Sequence, residues 1–369
     1  MRLKRAILFI LITALTVNGA GAVSVSAHSA VLLDAISGKA LFEKDADSRL
    51  PMASTTKIMT AVCAIKYGNM DDIITIKKEY ILTEGSSMYL KEGEKVTLNC
   101  LLHGLLMLSG NDAAQAIAGH ISGSAAEFAK LMNSEARRLG LNETSFENPS
   151  GLDGENHYTT ARDLARLASY AMSLPEFREI VSKKQYTEGT HSMKNHNRML
   201  WSYSGADGIK TGFTKKSGRC LVSSAQKNGR RLIAVTLNAS DDWDDHAAML
   251  DYGFSRFEET KLADESEIVK SIPVIGGTSS GVAIFCTKAV SYPLTQEEKS
   301  LVKRVISGRH FVYAPVRKGV YYGSMRLTLY GRVICEAPVC FLDSVPAKEI
   351  KKRPYFFEKI AKSFRLVIK

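Results

Sequence analysis

Residues 208–238 read GIKTGFTKKSGRCLVSSAQKNGRRLIAVTLN. Three β-type runs lie in this stretch, at 208–214, 219–226 and 231–238. Lys216-Ser217-Gly218 and Asn228-Gly229 separate them. Both separators are turn formers, and Asn-Gly favours the tight turns that join antiparallel neighbours. The stretch therefore predicts consecutive antiparallel strands. Upstream, AVLLDAISGKALFEK from residue 30 reads as another hairpin around Ser37-Gly38. Between the two lie helical patterns: Thr55–Tyr67 stopping at Gly68, residues 98–120 interrupted at Ser109-Gly110-Asn111, Ala125–Leu139 and Thr160–Met172. Asp244–Tyr252 returns to helix. Strands at both ends with helices between predict an α+β domain over residues 28–262, an antiparallel sheet covered by helices.

From residue 263 to 345 the pattern is mainly β, with strands expected at Gly281–Cys286, His310–Tyr313, Arg326–Tyr330 and Arg332–Cys335. Tyr330-Gly331-Arg332 reads as a tight turn, and the segment as a smaller second domain. The N-terminus looks like a targeting signal. Arg2, Lys4 and Arg5 precede the apolar run Ala6–Val17, and A-x-A-like sites follow at Ala20-Gly21-Ala22 and Val25-Ser26-Ala27. A signal peptide over residues 1–27, cut after Ala27, is expected, and with it export to the outer face of the cytoplasmic membrane. The other end, residues 346–369, is basic. Phe356, Ile360, Phe364 and Val367 follow helical spacing, with Lys359, Lys362 and Arg365 between them. Such a helix suits peripheral attachment to an anionic membrane surface.

The formal net charge is +11, of which the signal carries three and residues 347–369 a net +6. The body between is nearly neutral, which argues against a nucleic-acid binder. The six cysteines form no C-x-x-C pair and are expected as free thiols, with Cys335 and Cys340, flanking Pro338, the one pair to watch. The eight histidines show no H-E-x-x-H pattern, so no metal or other cofactor is expected.

Three short motifs point to acyl chemistry. In Ser54-Thr55-Thr56-Lys57 the serine and lysine share one helix face. A serine hydroxyl needs a base, and a lysine can serve only when neutral, as burial and a helix N-terminus favour. Ser224–Lys227 and Ser300–Lys303 have the same spacing, so the motif alone is weak. Ser109-Gly110-Asn111 is the only S-x-N: Ser109 can pass a proton toward a leaving amine, and Asn111 can hydrogen-bond a substrate amide. Lys210-Thr211-Gly212 is the only K-T-G and opens a β run. Lys210 and Thr211 can hold a substrate carboxylate, and Gly212 lets a substrate backbone approach the strand. The N–H groups of Ser54 and Phe213 can point at an oxyanion.

S-x-x-K, S-x-N and K-T-G in this order resemble the motif sets of penicillin-binding proteins and class A β-lactamases. ASTTKIMTA, LMLSGNDAAQAIA, NPSGLDGENHYTTARDLA and DGIKTGFTKKSGRCLVSSA resemble the D-alanyl-D-alanine carboxypeptidases. The resemblance is close over residues 29–260 and looser over the β domain and basic tail. It implies the DD-peptidase fold, with a helical subdomain inserted into the sheet domain. It implies removal of the terminal D-alanine from peptidoglycan stem peptides, and acylation by β-lactam antibiotics. Ser54 is then the nucleophile, Lys57 its proton acceptor and Ser109 the third catalytic residue. Lys210 binds substrate, Thr211 assists, and Arg198 can help neutralise the terminal carboxylate. Ser240–Asp245 carries no arginine where some members have one, so the carboxylate clamp stays open. A β-lactamase would need a deacylating glutamate such as Glu143, Glu147 or Glu155. A DD-endopeptidase would share the same acyl-enzyme, and a wall-binding or β-lactam-sensing module would lack turnover.

Overall fold

The computed structural model describes residues 23–349. Most of the expected signal and nearly all of the basic tail lie outside the described residues. The chain divides into two units, with the division after Gly253.

The first unit is built on a five-stranded antiparallel sheet. Its strand order is Ala40–Lys44, Ser29–Asp34, Arg230–Ala239, Gly218–Lys227, Ala206–Thr214. The run Leu232–Leu237 is buried throughout, as a central strand covered on both faces requires. Ala206–Thr214, which carries the K-T-G motif, is the edge strand. Its outer row of peptide groups is therefore not paired within the sheet.

Helices pack against the sheet and form the subdomain between its halves. Lys57–Tyr67 is buried over Lys57–Ala64 and sits inside the main hydrophobic cluster. Three of the other helices begin on side-chain caps. Thr97 Oγ1 accepts from Cys100 N, Ser124 Oγ from Glu127 N, and Thr160 Oγ1 from Asp163 N. The helical stretch expected over 98–120 with an interruption at Ser109-Gly110-Asn111 is two helices, Leu98–Met107 and Asn111–Ser122. The break falls at the S-x-N motif. The short helix Pro175–Ser182 and two small antiparallel strand pairs, Ile73–Thr75 with Lys95–Thr97 and Gln185–Glu188 with His191–Lys194, add to the expected set.

Residues 25–27 belong to this fold. Ser26 N, Ser26 Oγ and Ala27 N all donate to the Asp245 carboxylate, at 2.8, 2.8 and 3.1 Å. Val25 and Ala27 are buried. A segment expected to leave with the signal is thus packed against the Asp242–Arg256 helix.

The second unit has a six-stranded sheet in the order Lys303–Ser307, Tyr321–Leu329, Arg332–Phe341, Gly281–Cys286, Ile268–Ile275, Val312–Tyr313. Only the last pairing is parallel. The turn expected at Tyr330-Gly331 is present, with φ of 50° and 78° as a tight hairpin demands. Both long strands extend beyond their expected lengths. Glu258–Ala263, read as the end of the first domain, pairs with Val290–Leu294 of this unit. All six cysteines are free, and four are buried.

Candidate active site

The chain enters the site at a strained turn. Ala53 has φ 47° and Ser109 has φ 64°, both in the left-handed region, at an expense of order 1–3 kcal/mol each. Ala53 turns the chain so that Ser54 opens on a cleft of about 460 Å³ at the start of the Lys57 helix. Ser109 turns the chain between two helices so that it faces the same cleft. Gly151 makes room for the first turn. A Cβ there would fall 2.0 Å from Ala53 O. Gly212 does so from the other side, where a Cβ would lie 3.1 Å from Ser54 N. The K-T-G edge strand is thereby held against the backbone of the serine.

Lys57 is fully buried, and three groups surround its Nζ. Ser54 Oγ lies at 2.9 Å, Asn111 Oδ1 at 2.7 Å and the Ser150 carbonyl oxygen at 2.5 Å. Burial pushes Lys57 well below the usual lysine range; nearby Lys210 adds to this, and Asp112 opposes it. Lys57 Nζ donates to all three oxygens, so the serine hydroxyl and the lysine amine are in direct contact.

Asn111 spends its amide inside the protein: its oxygen on Lys57, and an Nδ2 hydrogen on Glu84 O at 2.6 Å. It was expected to meet substrate; the structure makes it first a support for Lys57. Asp112 fixes the neighbouring loop, accepting from Ser87 Oγ, Met88 N and Leu90 N. Thr56 Oγ1 lies 2.7 Å from His157 Nε2, and His157 Nδ1 accepts from Glu147 N. This fixes the tautomer with hydrogen on Nε2. Burial lowers His157 to about 4, so it stays neutral.

Across the cleft, Thr211, Gly212 and Phe213 line the wall. Lys210 is buried beside them, its Nζ donating to Thr211 O at 2.9 Å, and burial lowers its pKa to about 7. Arg198 is exposed and is not part of the cleft lining; His196, two residues earlier, is. Sequence reading also passed over Ser86, Arg219, Asp242 and Trp243, which line the cleft, and the carbonyl of Ser150. A backbone carbonyl leaves no side-chain signal, and Arg219 sits in a β run without a motif. Glu143, Glu147 and Glu155 do not line the cleft, and Glu143 is paired with Arg49 at 2.5 Å.

A family described as D-alanyl-D-alanine carboxypeptidase, peptidase S11, matches residues 16–241. The chain belongs to this family. The C-terminal domain of penicillin-binding protein 5 matches residues 257–347, which covers the β unit. The chain is 35% identical over 345 residues to the D-alanyl-D-alanine carboxypeptidase DacF of Bacillus subtilis, covering 89% of this chain and 87% of that protein. To DacC of Escherichia coli it is 34% identical over 339 residues, covering 87% and 85%. Penicillin-binding protein 5 from Haemophilus influenzae superposes with a TM-score of 0.76 at 30% identity, covering 89% of this chain and 100% of that one. Membership makes the chain a hydrolytic D-alanyl-D-alanine carboxypeptidase of the penicillin-binding type, and its fold is that of the DD-peptidases with an added β domain.

Proposed function

We propose that the reaction runs through an ester on Ser54, with neutral Lys57 as the base. The three contacts of Lys57 Nζ carry this reading. Lys57 takes the Ser54 proton as Oγ attacks the carbonyl carbon between the last two D-alanines. The N–H groups of Ser54 and Phe213 receive the oxyanion. The C–N bond breaks, and the proton passes through Ser109 to the leaving amine. Water then cleaves the ester, returning Ser54 and releasing the shortened stem peptide. A β-lactam acylates the same oxygen, but its leaving group stays tethered. The edge strand offers its free peptide groups to an extended substrate, so a stem peptide can lie along Thr211–Phe213 as an added strand. Membership in the D-alanyl-D-alanine carboxypeptidase family favours this over a β-lactamase. The test is Ser54→Ala, which should release no D-alanine from a peptide ending in D-Ala-D-Ala; release at the wild-type rate overturns the assignment.

We further propose that the protein is exported and that its signal is cut after Ala22, because residues 25–27 are packed on Asp245. N-terminal sequencing of the mature protein decides this: a start at His28 would refute it. The basic tail, residues 346–369, is proposed to hold the enzyme on an anionic membrane face. Among the described residues no helix is long and apolar enough to cross a membrane.

A further inference from the structure

The substrate of this reaction ends in a free carboxylate, and the cleft must recognise it. Lys210 is 1% exposed and is held to about 7 by burial, so it is only partly charged at neutral pH. Arg198 does not line the cleft. Arg219 does, together with Asp242 and Trp243.

Arg219 stands on the strand next to the edge strand, in register with Phe213. It therefore lies level with the end of the K-T-G segment. Its Nε and Nη2 both donate to Asp242 Oδ1, at 2.8 and 2.5 Å. The Asp242 side chain is 5% exposed and the Arg219 side chain 43%. A buried carboxylate in the first turn of the Asp242–Arg256 helix thus grips one side of the guanidinium and leaves the other side open.

We propose that Arg219, oriented by Asp242, is the clamp for the terminal carboxylate of the substrate; this rests on the acyl-transfer reading above. A guanidinium presents a planar fork of donors that matches a carboxylate. Prior ordering by Asp242 lowers the entropy lost when substrate docks. The Arg219–Asp242 pair is formally neutral, so it acts through directed hydrogen bonds at short range, with little long-range steering. Asp242 is a positioning residue here, because Arg219 stands between it and the substrate. The arrangement also answers the missing arginine in Ser240–Asp245: a neighbouring strand supplies the group.

The experiment compares a blocked peptide ending in D-Ala-D-Ala with the same peptide as its C-terminal amide. The wild type should prefer the acid. In Arg219→Gln, kcat/KM on the acid should fall roughly 10- to 100-fold, the worth of hydrogen bonds to a charged group. On the amide it should change less than about threefold, within ordinary surface-substitution effects. Arg219→Lys, which keeps charge but loses the fork, should recover part of the preference, and Asp242→Asn should weaken it through KM. An unchanged acid-to-amide ratio in Arg219→Gln overturns the clamp, as does an equal loss on both substrates. Should Arg219→Gln not fold, an unchanged ratio in Arg219→Lys and Asp242→Asn overturns it instead. A wild type that forms no Ser54 ester with penicillin fails at the earlier step, which separates failure of the acyl-transfer reading from failure of the clamp.

Discussion

The two units bury different things. The first buries lysines, histidines, aspartates, a glutamate, three asparagines and a row of hydroxyls. Among the described residues of the second unit, Ser324 alone is a buried polar side chain. Its core is Ile284, Met325, Leu327, Ala337, Val339 and their neighbours. Burying polar groups opposes folding unless they are paired. The first unit accepts that opposition, with strained backbone at Ala53 and Ser109, at the place where it performs chemistry. The second unit carries apolar alternation and little else, which is what a domain selected for folding looks like.

Activity should collapse first where polar burial is densest. Ser54→Ala is expected to lose about 10⁴-fold or more in kcat/KM with little change in melting temperature, checked by D-alanine release and calorimetry. The opposite pattern is expected in the second unit. Leu327→Ala should lower stability by about 2–5 kcal/mol, read by urea denaturation, and leave the rate of Ser54 acylation unchanged at a temperature where the variant is folded. A parallel loss of acylation would break the contrast.

Lys210 sharpens it. Its pKa is about 7 in the folded protein against a usual 10.5. The folded state therefore binds fewer protons than the unfolded chain between these values, and stability rises with pH across that window. Replacing Lys210 by Met removes the opposition. It should stabilise the protein by about 1–4 kcal/mol below pH 7, by less as pH approaches 10.5, while weakening substrate binding. A gain that is the same at pH 6 and pH 9.5 would contradict the buried-charge account. The smallest effect is expected at Gly212→Ala. The added methyl must push Ser54 N and the Ala53 side chain, at 3.1 and 3.2 Å from it. A loss of roughly 10- to 100-fold in acylation follows from that displacement, measured with a chromogenic β-lactam.

The same contrast explains what the sequence showed. Alternation announces the β unit: in Gly281–Cys286 every second residue, Val282, Ile284 and Cys286, is buried. Asn-Gly and Lys-Ser-Gly turns announced the three consecutive strands of the first sheet, and helical patterning announced its helices. Ser54, Lys57, Ser109 and Lys210 stand out in the sequence because each sits in a short local motif; the structure puts Lys57 Nζ 2.9 Å from Ser54 Oγ and sets Ser54 and Ser109 on one cleft. The rest of the site was not, because it is assembled across long separations. Ser150 reaches Lys57 through its backbone, Asp242 grips Arg219 from the next helix, and Glu84 holds Asn111 through a carbonyl. Arg198 is exposed and is not among the cleft-lining residues; charge near a motif says nothing about which way the chain turns. Glu258–Ala263 pairs with Val290–Leu294 of the second unit, and pairing between strands that far apart leaves no local signal in the sequence.

The most direct measurement is intact-protein mass spectrometry of the wild type and of Lys57→Arg after mixing with benzylpenicillin at neutral pH. The account predicts one rapid adduct on the wild type, mapping to Ser54, and almost none on Lys57→Arg, whose guanidinium cannot accept the serine proton. An adduct forming at the same rate on both, or mapping to a different residue, would contradict a neutral Lys57 acting as the base for Ser54.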